Sequence, residues 1–139
     1  MNLDQTLKNS AVEPLNGDFP PVVDFAKPGS RLLGVYAQSV QIPLKDGNKL
    51  NAYTLRLHSW DGITLSRKDA EIIPREGMPV SISGGYLDKA FANLQPGNVV
   101  LITFRGIEGK VEGTRPKFKS NPGRVFDVAL VTLPAHAGV

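Results

Sequence analysis

Apolar and polar residues alternate with a period of two over much of the chain after residue 30, as in β-strands with one buried face. Residues 31–42 (RLLGVYAQSVQI) form the first such run, and the turn-forming sequence at 45–48 (KDGN) follows it. Another run, residues 78–83 (MPVSIS), stops at a pair of glycines. These patterns predict extended strands for the first half of the fold.

The clearest alternation lies in residues 50–60 (LNAYTLRLHSW), directly before Asp61–Gly62. One face of this strand is apolar and predicted to be buried: Tyr53, Leu55 and Leu57. The other face carries Thr54, Arg56, His58 and Trp60. An Asp-Gly pair after an alternating run is a strong hairpin signal, so we expect residues 63–65 to begin a return strand.

One segment has helical spacing instead. In residues 86–94 (YLDKAFANL), the apolar side chains Leu87, Phe91 and Leu94 recur at intervals of three and four, and Pro96–Gly97 ends the pattern. The sequence therefore predicts one short helix. The connection at residues 67–75 (RKDAEIIPR) is polar, with at most a short helical turn.

Two apolar runs close the fold, residues 99–104 and residues 125–131. Each alternates with a period of two, so one side of each strand should face the core. Across the predicted strands, we expect these side chains to be largely buried: Leu55, Leu57, Val100, Ile102, Phe104, Phe126, Val128 and Leu130.

The predicted order is three strands, a helix and two strands, which gives an all-β fold. Five strands with one short helix between the third and fourth match the OB-fold, a small Greek-key barrel. SH3-like barrels are the main competitor, but they lack a helix at that point. We assign residues 29–132 to this OB-fold domain and residues 133–139 to a short C-terminal tail. Residues 1–28 form a proline-rich N-terminal arm in which regular structure is not expected.

Composition narrows the functional classes. The 139 residues suit one domain, and the absence of cysteine excludes disulfides and thiolate metal sites. No apolar run is long enough to span a membrane, and the N-terminus lacks the pattern of a signal peptide. We therefore expect a cytoplasmic protein with no membrane partner. The net charge of +3 is modest, so the distribution of charge carries more information than its sum.

The residues do not indicate catalysis. His58 and His136 are the only histidines, and neither belongs to a recognisable Ser/His/Asp set. The carboxylates do not show metal-ligand spacing, and the glycines of residues 106–113 do not precede a helix as in a phosphate loop. We expect no enzymatic activity, no metal and no cofactor.

Binding is better supported, because cations cluster between the two closing strands. The hairpin there carries Lys110, Arg115, Lys117, Lys119 and Arg124, with Phe118 among them. OB-folds bind oligonucleotides on strands two and three and clasp them with the loop between strands four and five. Arg56, His58 and Trp60 on strand two, together with Arg105, would complete a basic and aromatic groove. The alternative is a solvated loop whose charges only keep the protein soluble.

The sequence also resembles the small OB-fold single-stranded DNA-binding proteins of bacteriophages and prophages. The resemblance covers about residues 30–131 and consists of R-x-x-G-x-Y, a strand ending in Asp-Gly, a glycine-flanked helix and two closing strands. The matching residues are Gly34, Tyr36, Asp61, Gly62, Gly97, Val100, Ile102, Phe104, Gly106, Phe126 and Val128. It implies binding without strong sequence preference, in replication or recombination, in the cytoplasm of a phage-infected or prophage-bearing cell. Many such proteins end in an acidic tail, whereas this chain ends LPAHAGV.

Two functions follow as hypotheses. The first is a protein that binds single-stranded DNA or RNA, as a monomer or a homo-oligomer. It predicts a continuous basic face that links Arg56, Arg105 and the hairpin at residues 110–124. The second is a non-catalytic structural or assembly subunit that docks on a protein partner through its N-terminal arm. It predicts that these cations are buried or scattered.

Overall fold

The computed structural model describes residues 20–116 and 122–132, which form eight strands and one helix. The prediction of an all-β fold with one short helix is confirmed for this part of the chain. The strands are β1 (Val22–Phe25), β2 (Arg31–Pro43), β3 (Lys49–Asp61), β4 (Ile63–Arg67), β5 (Ala70–Ile72), β6 (Pro79–Ser83), β7 (Val99–Ile107) and β8 (Arg124–Val131). The helix, α1 (Gly85–Phe91), lies between β6 and β7.

The eight strands belong to one mixed sheet with the order β5-β4-β1-β6-β3-β2-β7-β8. The β1–β6 pair is parallel, and the other pairs are antiparallel. Five of the predicted strands are therefore consecutive neighbours, β6-β3-β2-β7-β8. The predicted return strand at residues 63–65 is β4, which lies beyond β6 together with β1 and β5.

Strand β1 corrects the prediction that the N-terminal arm lacks regular structure. It pairs with β4 along its whole length, and its Val23 is buried. Pro20 and Pro21 obscured this strand in the sequence, but both precede it, where no N–H group is needed for the ladder. The carbonyl of Pro21 even accepts a hydrogen bond from the Ser81 N–H at 2.8 Å.

The Asp61–Gly62 pair forms a corner, so the predicted hairpin is wrong. Strands β3 and β4 are separated by Gly62 alone, yet they are not neighbours in the sheet. Gly62 has φ +74°, and a Cβ added to it would lie 2.4 Å from the Ser30 hydroxyl oxygen. The hairpin occurs one strand later, between β4 and β5, where Lys68 and Asp69 both have positive φ.

The core lies on the inner side of this sheet and under α1. Six of the eight predicted core residues are buried, and Val128 packs against them half-buried. The prediction that Leu130 is buried is wrong, because this residue is 62% exposed. It lies opposite Val100, but β8 is the last strand of the sheet, so Leu130 has a neighbouring strand on one side only.

The helix lies where the sequence predicts it, over a shorter span. Leu87 and Phe91 are buried, and Leu94 packs against the core after the helix has ended. The Tyr53 hydroxyl of β3 donates a hydrogen bond to Asp88 Oδ1 at 2.5 Å. Tyr53 also stacks on Phe91, with ring centroids 4.3 Å apart. Burial of Tyr53, predicted from the alternation, is thus confirmed and ties α1 to the sheet.

Candidate nucleic-acid interface

Three of the predicted binding residues line one cleft, at the point where the loop between β7 and β8 leaves the sheet. Arg105, Lys110 and Arg124 surround this cleft, which has a volume of about 420 Å³. A fourth cation, Lys27, reaches it from the segment before β2. The remaining lining is mostly apolar: Phe25, Ala26, Pro28, Phe104, Gly106, Ile107 and Val111. We call this site the basic cleft.

Lys27 is held at the cleft by a tight turn that runs beside β7. The Ser30 N–H donates to the Lys27 carbonyl at 3.0 Å, and the Lys27 N–H donates to the Ser30 hydroxyl at 3.2 Å. The Phe104 carbonyl accepts from the Gly29 N–H at 2.8 Å, and the Phe104 N–H donates to the Ser30 carbonyl at 2.9 Å. These bonds fix the turn to the sheet and leave Lys27 exposed at its tip.

An irregularity in β7 shapes the floor of the cleft. Phe104 pairs with Phe126 and Gly106 pairs with Val125, so Arg105 is an extra residue without an opposite partner. Gly106 has φ +131°, and a Cβ added to it would lie 3.0 Å from Val111 and 3.8 Å from Pro28. Glycine at this position therefore allows the loop and the Lys27 turn to approach each other across the floor.

Glu108 closes the base of the loop. Its N–H donates to the Gly123 carbonyl at 2.8 Å, and its Oε1 accepts from the Gly123 N–H at 2.6 Å. Its Oε2 accepts from the Tyr86 hydroxyl of α1 at 3.1 Å. Desolvation raises the pKa of Tyr86, and the hydrogen bond to Glu108 raises it further. One carboxylate thus joins the two ends of the loop to the helix.

The first part of the loop has hydrogen bonds of its own. The Lys110 N–H donates to the Ile107 carbonyl at 3.0 Å, and the Thr114 hydroxyl donates to the Val111 carbonyl at 2.6 Å. The same hydroxyl accepts from the Gly109 N–H at 3.1 Å. These bonds place Lys110 at the cleft before any ligand arrives. Arg115 is exposed farther along the loop and does not line the cleft.

The cleft carries more positive than negative charge. Arg105 forms an ion pair with Asp127 at 2.6 Å, and Arg124 lies 3.8 Å from Asp24. Within the described residues, neither Lys27 nor Lys110 has an ion-pair partner. Two of the four cations therefore remain uncompensated, on the rim of an apolar space where an anion is only partly hydrated.

Aromatic rings form one side of the cleft. Phe25 and Phe104 line it, with ring centroids 5.9 Å apart, and Phe126 packs behind both. Phe104 is almost fully buried, whereas Phe25 is half-buried. This wall joins β1 to the closing strands and gives the cleft a rigid apolar surface.

The binding residues predicted on strand two, which is β3, do not line the basic cleft. Arg56 is exposed on the outer face of β3, opposite Val35, and its guanidinium donates to the Gly77 carbonyl at 3.3 Å. His58 has no opposite residue on β2, because the register shifts between Leu33 and Gly34. This shift moves the next residues of β3 to the other face. Trp60 consequently lies opposite the buried Leu32, so the prediction that it shares a face with Arg56 is wrong.

Trp60 is nevertheless 38% exposed, so its ring retains a solvent-accessible surface. The expected continuous basic face is not present over the described residues. Between Arg56 and Arg105, the outer face of β2, β7 and β8 is apolar and half-buried to exposed. Its apolar residues are Leu33, Val35, Val99, Leu101, Ala129 and Val131.

Lys117, Phe118 and Lys119 lie outside the described residues, so their predicted role stays a prediction. The sequence analysis missed Lys27. Its signal was a cation in a Lys-Pro-Gly turn directly before the first predicted strand, within a segment assigned to the arm.

Within the described residues, no group of three or more histidine or acidic side chains is placed to hold a metal ion. Of the helices in residues 20–116 and 122–132, none is long and apolar enough to cross a membrane. Comparison with protein-family models, with curated proteins and with solved structures finds no match to this chain.

Proposed function

We propose that this protein binds single-stranded DNA through the basic cleft and the adjoining β7–β8 loop. The observation that supports this most directly is the convergence of Lys27, Arg105, Lys110 and Arg124 on one apolar cleft. Three of these residues come from the loop and the strand ends that flank it, and Lys27 comes from a turn far away in sequence. Such convergence is not expected of charges that only keep a loop soluble.

The chemistry of the cleft suits a polyanion with flat apolar faces. Lysine ammonium groups neutralise backbone phosphates without reading sequence, and aromatic and aliphatic walls accept bases of any kind. We therefore propose binding without strong sequence preference. A longer DNA strand would also contact the rest of the loop, through Arg115, Lys117, Phe118 and Lys119. A separate contact on β3 would use Arg56, His58 and Trp60.

The strand order supports an OB-fold as the underlying architecture. The neighbours β6-β3-β2-β7-β8, with α1 between β6 and β7, follow the predicted order of five strands and a helix. We propose that these five strands form an OB-like barrel on which β1, β4 and β5 are an addition. The resemblance to phage and prophage proteins supports a role in DNA replication or recombination in the bacterial cytoplasm.

The test is fluorescence anisotropy with a labelled poly-dT strand and a double variant, Lys27→Ala with Lys110→Ala. Loss of two exposed phosphate contacts should weaken binding roughly tenfold at low salt. The matched control is Arg75→Ala with Lys89→Ala, which removes the same charge from exposed positions outside the cleft. Equal weakening by both variants, or no binding by the wild type, would overturn the proposal. A poly-rU strand in parallel measures the preference for DNA over RNA.

One observation favours the assembly subunit as a second candidate. The outer face of β2, β7 and β8 carries a contiguous set of apolar side chains, including Leu33 and Leu101 opposite each other. Apolar sheet faces of this kind are often covered by another chain. Sedimentation equilibrium of the wild type and of Leu101→Lys tests this candidate. A stable oligomer that Leu101→Lys dissociates, together with absent DNA binding, would favour assembly over DNA binding.

A further inference from the structure

The basic cleft has the size and shape of a ligand pocket, beyond what a strand of phosphates alone would need. Its volume of about 420 Å³ lies within the range of small-molecule sites, roughly 300–1,000 Å³. A simple electrostatic surface for a polyanion does not require an apolar cleft of this volume. The lining therefore calls for a ligand that brings both a negative charge and an apolar body.

The walls of the cleft come close together at Gly106. The Val111 methyl group and the Pro28 ring both approach this residue, as the distances of 3.0 Å and 3.8 Å from an added Cβ show. Ile107 stands beside them and is 40% exposed. A flat group that packs against this aliphatic surface removes the Ile107 side chain from water.

Cations are placed at the rim of this space. Lys110 directly follows Gly109, Lys27 directly precedes Pro28, and both lysines line the cleft. Neither has an ion-pair partner among the described residues. An anionic group attached to a flat group on this surface would lie in a cleft that both lysines line.

We propose that the basic cleft binds one nucleotide unit, with the base against the apolar lining at Ile107 and Val111 and the 5′-phosphate at Lys27 and Lys110. This inference rests on the proposed DNA binding and adds that a free nucleoside monophosphate occupies the same site. The structural basis is the combination of an apolar floor at Gly106 with two lysines that line the same cleft and have no ion-pair partner among the described residues.

The probe is thymidine 5′-monophosphate, titrated into ¹⁵N-labelled protein and followed by NMR. The amide resonance of Gly106, on the floor of the cleft, should shift as the nucleotide binds. Thymidine and inorganic phosphate are titrated separately, and each should bind more weakly than the nucleotide. If inorganic phosphate binds as tightly as the nucleotide, the apolar walls contribute nothing and the inference is wrong.

Two variants test the two halves of the site. Lys110→Ala removes a phosphate contact and Ile107→Ala removes part of the wall, and each should weaken nucleotide binding roughly fivefold. The matched controls are Lys89→Ala, an exposed lysine of α1, and Leu130→Ala, an exposed apolar residue of β8. Both controls should bind the nucleotide like the wild type, and all four variants should melt like the wild type.

The outcomes separate this inference from the proposed function. If poly-dT binds but the nucleotide does not, or if the cleft variants bind the nucleotide normally, the single-nucleotide pocket is refuted and DNA binding stands. If the nucleotide binds and poly-dT does not, the pocket is supported and the proposed function falls. If neither binds, both are overturned.

Discussion

At the scale of single residues, Tyr53 shows how one side chain joins the sheet to the helix. Its ring stacks on Phe91 while its hydroxyl donates to Asp88, so both its apolar and its polar parts are used. Burial raises the pKa of Tyr53, and the hydrogen bond to Asp88 raises it further, because both favour the protonated phenol.

The raised pKa predicts how stability depends on pH. The contribution of Tyr53 is complete below the pKa of an unfolded tyrosine, about 10, and is lost as pH rises toward the higher pKa of the folded state. The free energy of unfolding of the wild type should therefore fall between pH 9 and pH 11 more steeply than that of Tyr53→Phe. Urea melts at several pH values measure this, and parallel curves for the two proteins would contradict it.

Single residues also show where sequence reasoning stops. Alternation correctly predicted that Tyr53, Leu55 and Leu57 are buried, because a regular strand keeps its period of two. It failed for Trp60, because the extra residue His58 shifts the period by one and a bulge leaves no clear signal in the side chains. Lys27 was missed because its partners in the cleft are distant in sequence, and periodicity reports only local order.

At the scale of elements, the loop between β7 and β8 depends on Glu108. This residue bonds both the N–H and the carbonyl of Gly123 and also receives the Tyr86 hydroxyl. The loop therefore starts and ends at a fixed separation, and both Lys110 and Arg124 line the cleft. The sequence indicated a basic loop between two strands, but the pairing of Glu108 with Gly123 depends on the loop conformation.

Glu108→Ala tests whether the loop needs this anchor, because the change in charge and the loss of the anchor should alter DNA affinity in opposite directions. On charge alone, removing an acid near cations should strengthen DNA binding. Glu112 is an exposed acid of the same loop, so Glu112→Ala should strengthen binding slightly. We expect Glu108→Ala to weaken poly-dT binding instead, because the loop loses its anchor, and to speed hydrogen exchange at the Gly123 amide. Tighter binding by Glu108→Ala, equal to that of Glu112→Ala, would show that the loop does not need this anchor.

At the scale of the whole molecule, aromatic contacts bring distant strands of the sheet together. Phe25 of β1 packs on Phe126 of β8 with centroids 5.2 Å apart, although four strands lie between β1 and β8 in the sheet order. The Asp24–Arg124 pair joins the same two strands. The sheet must therefore curl, and this curvature places Lys27 beside the β7–β8 loop. The sequence predicted strands where β2, β3, β4, β6, β7 and β8 lie, but not β1 or β5, nor that β4 would pair with these two instead of with β3.

Phe126 should accordingly be critical for stability. Phe126→Ala should lower the free energy of unfolding by about 3–5 kcal/mol, as for other buried phenylalanines, because it leaves a cavity between β1 and β7. Leu130→Ala, on the same strand but 62% exposed, should lower it by less than about 1 kcal/mol. Chemical denaturation measures both, and a small loss for Phe126→Ala would show that this ring does not hold the sheet together.

The central claim is that the basic cleft binds the phosphates of single-stranded DNA, and the salt dependence of binding tests it most directly. The affinity for labelled poly-dT is measured by anisotropy over a series of salt concentrations. Neutralisation of at least two phosphates predicts a log–log slope of about −1.4 or steeper. The slope should flatten by about 1.4 in Lys27→Ala with Lys110→Ala, since two fewer counterions are released. A slope near zero, or an unchanged slope in that variant, would contradict the account.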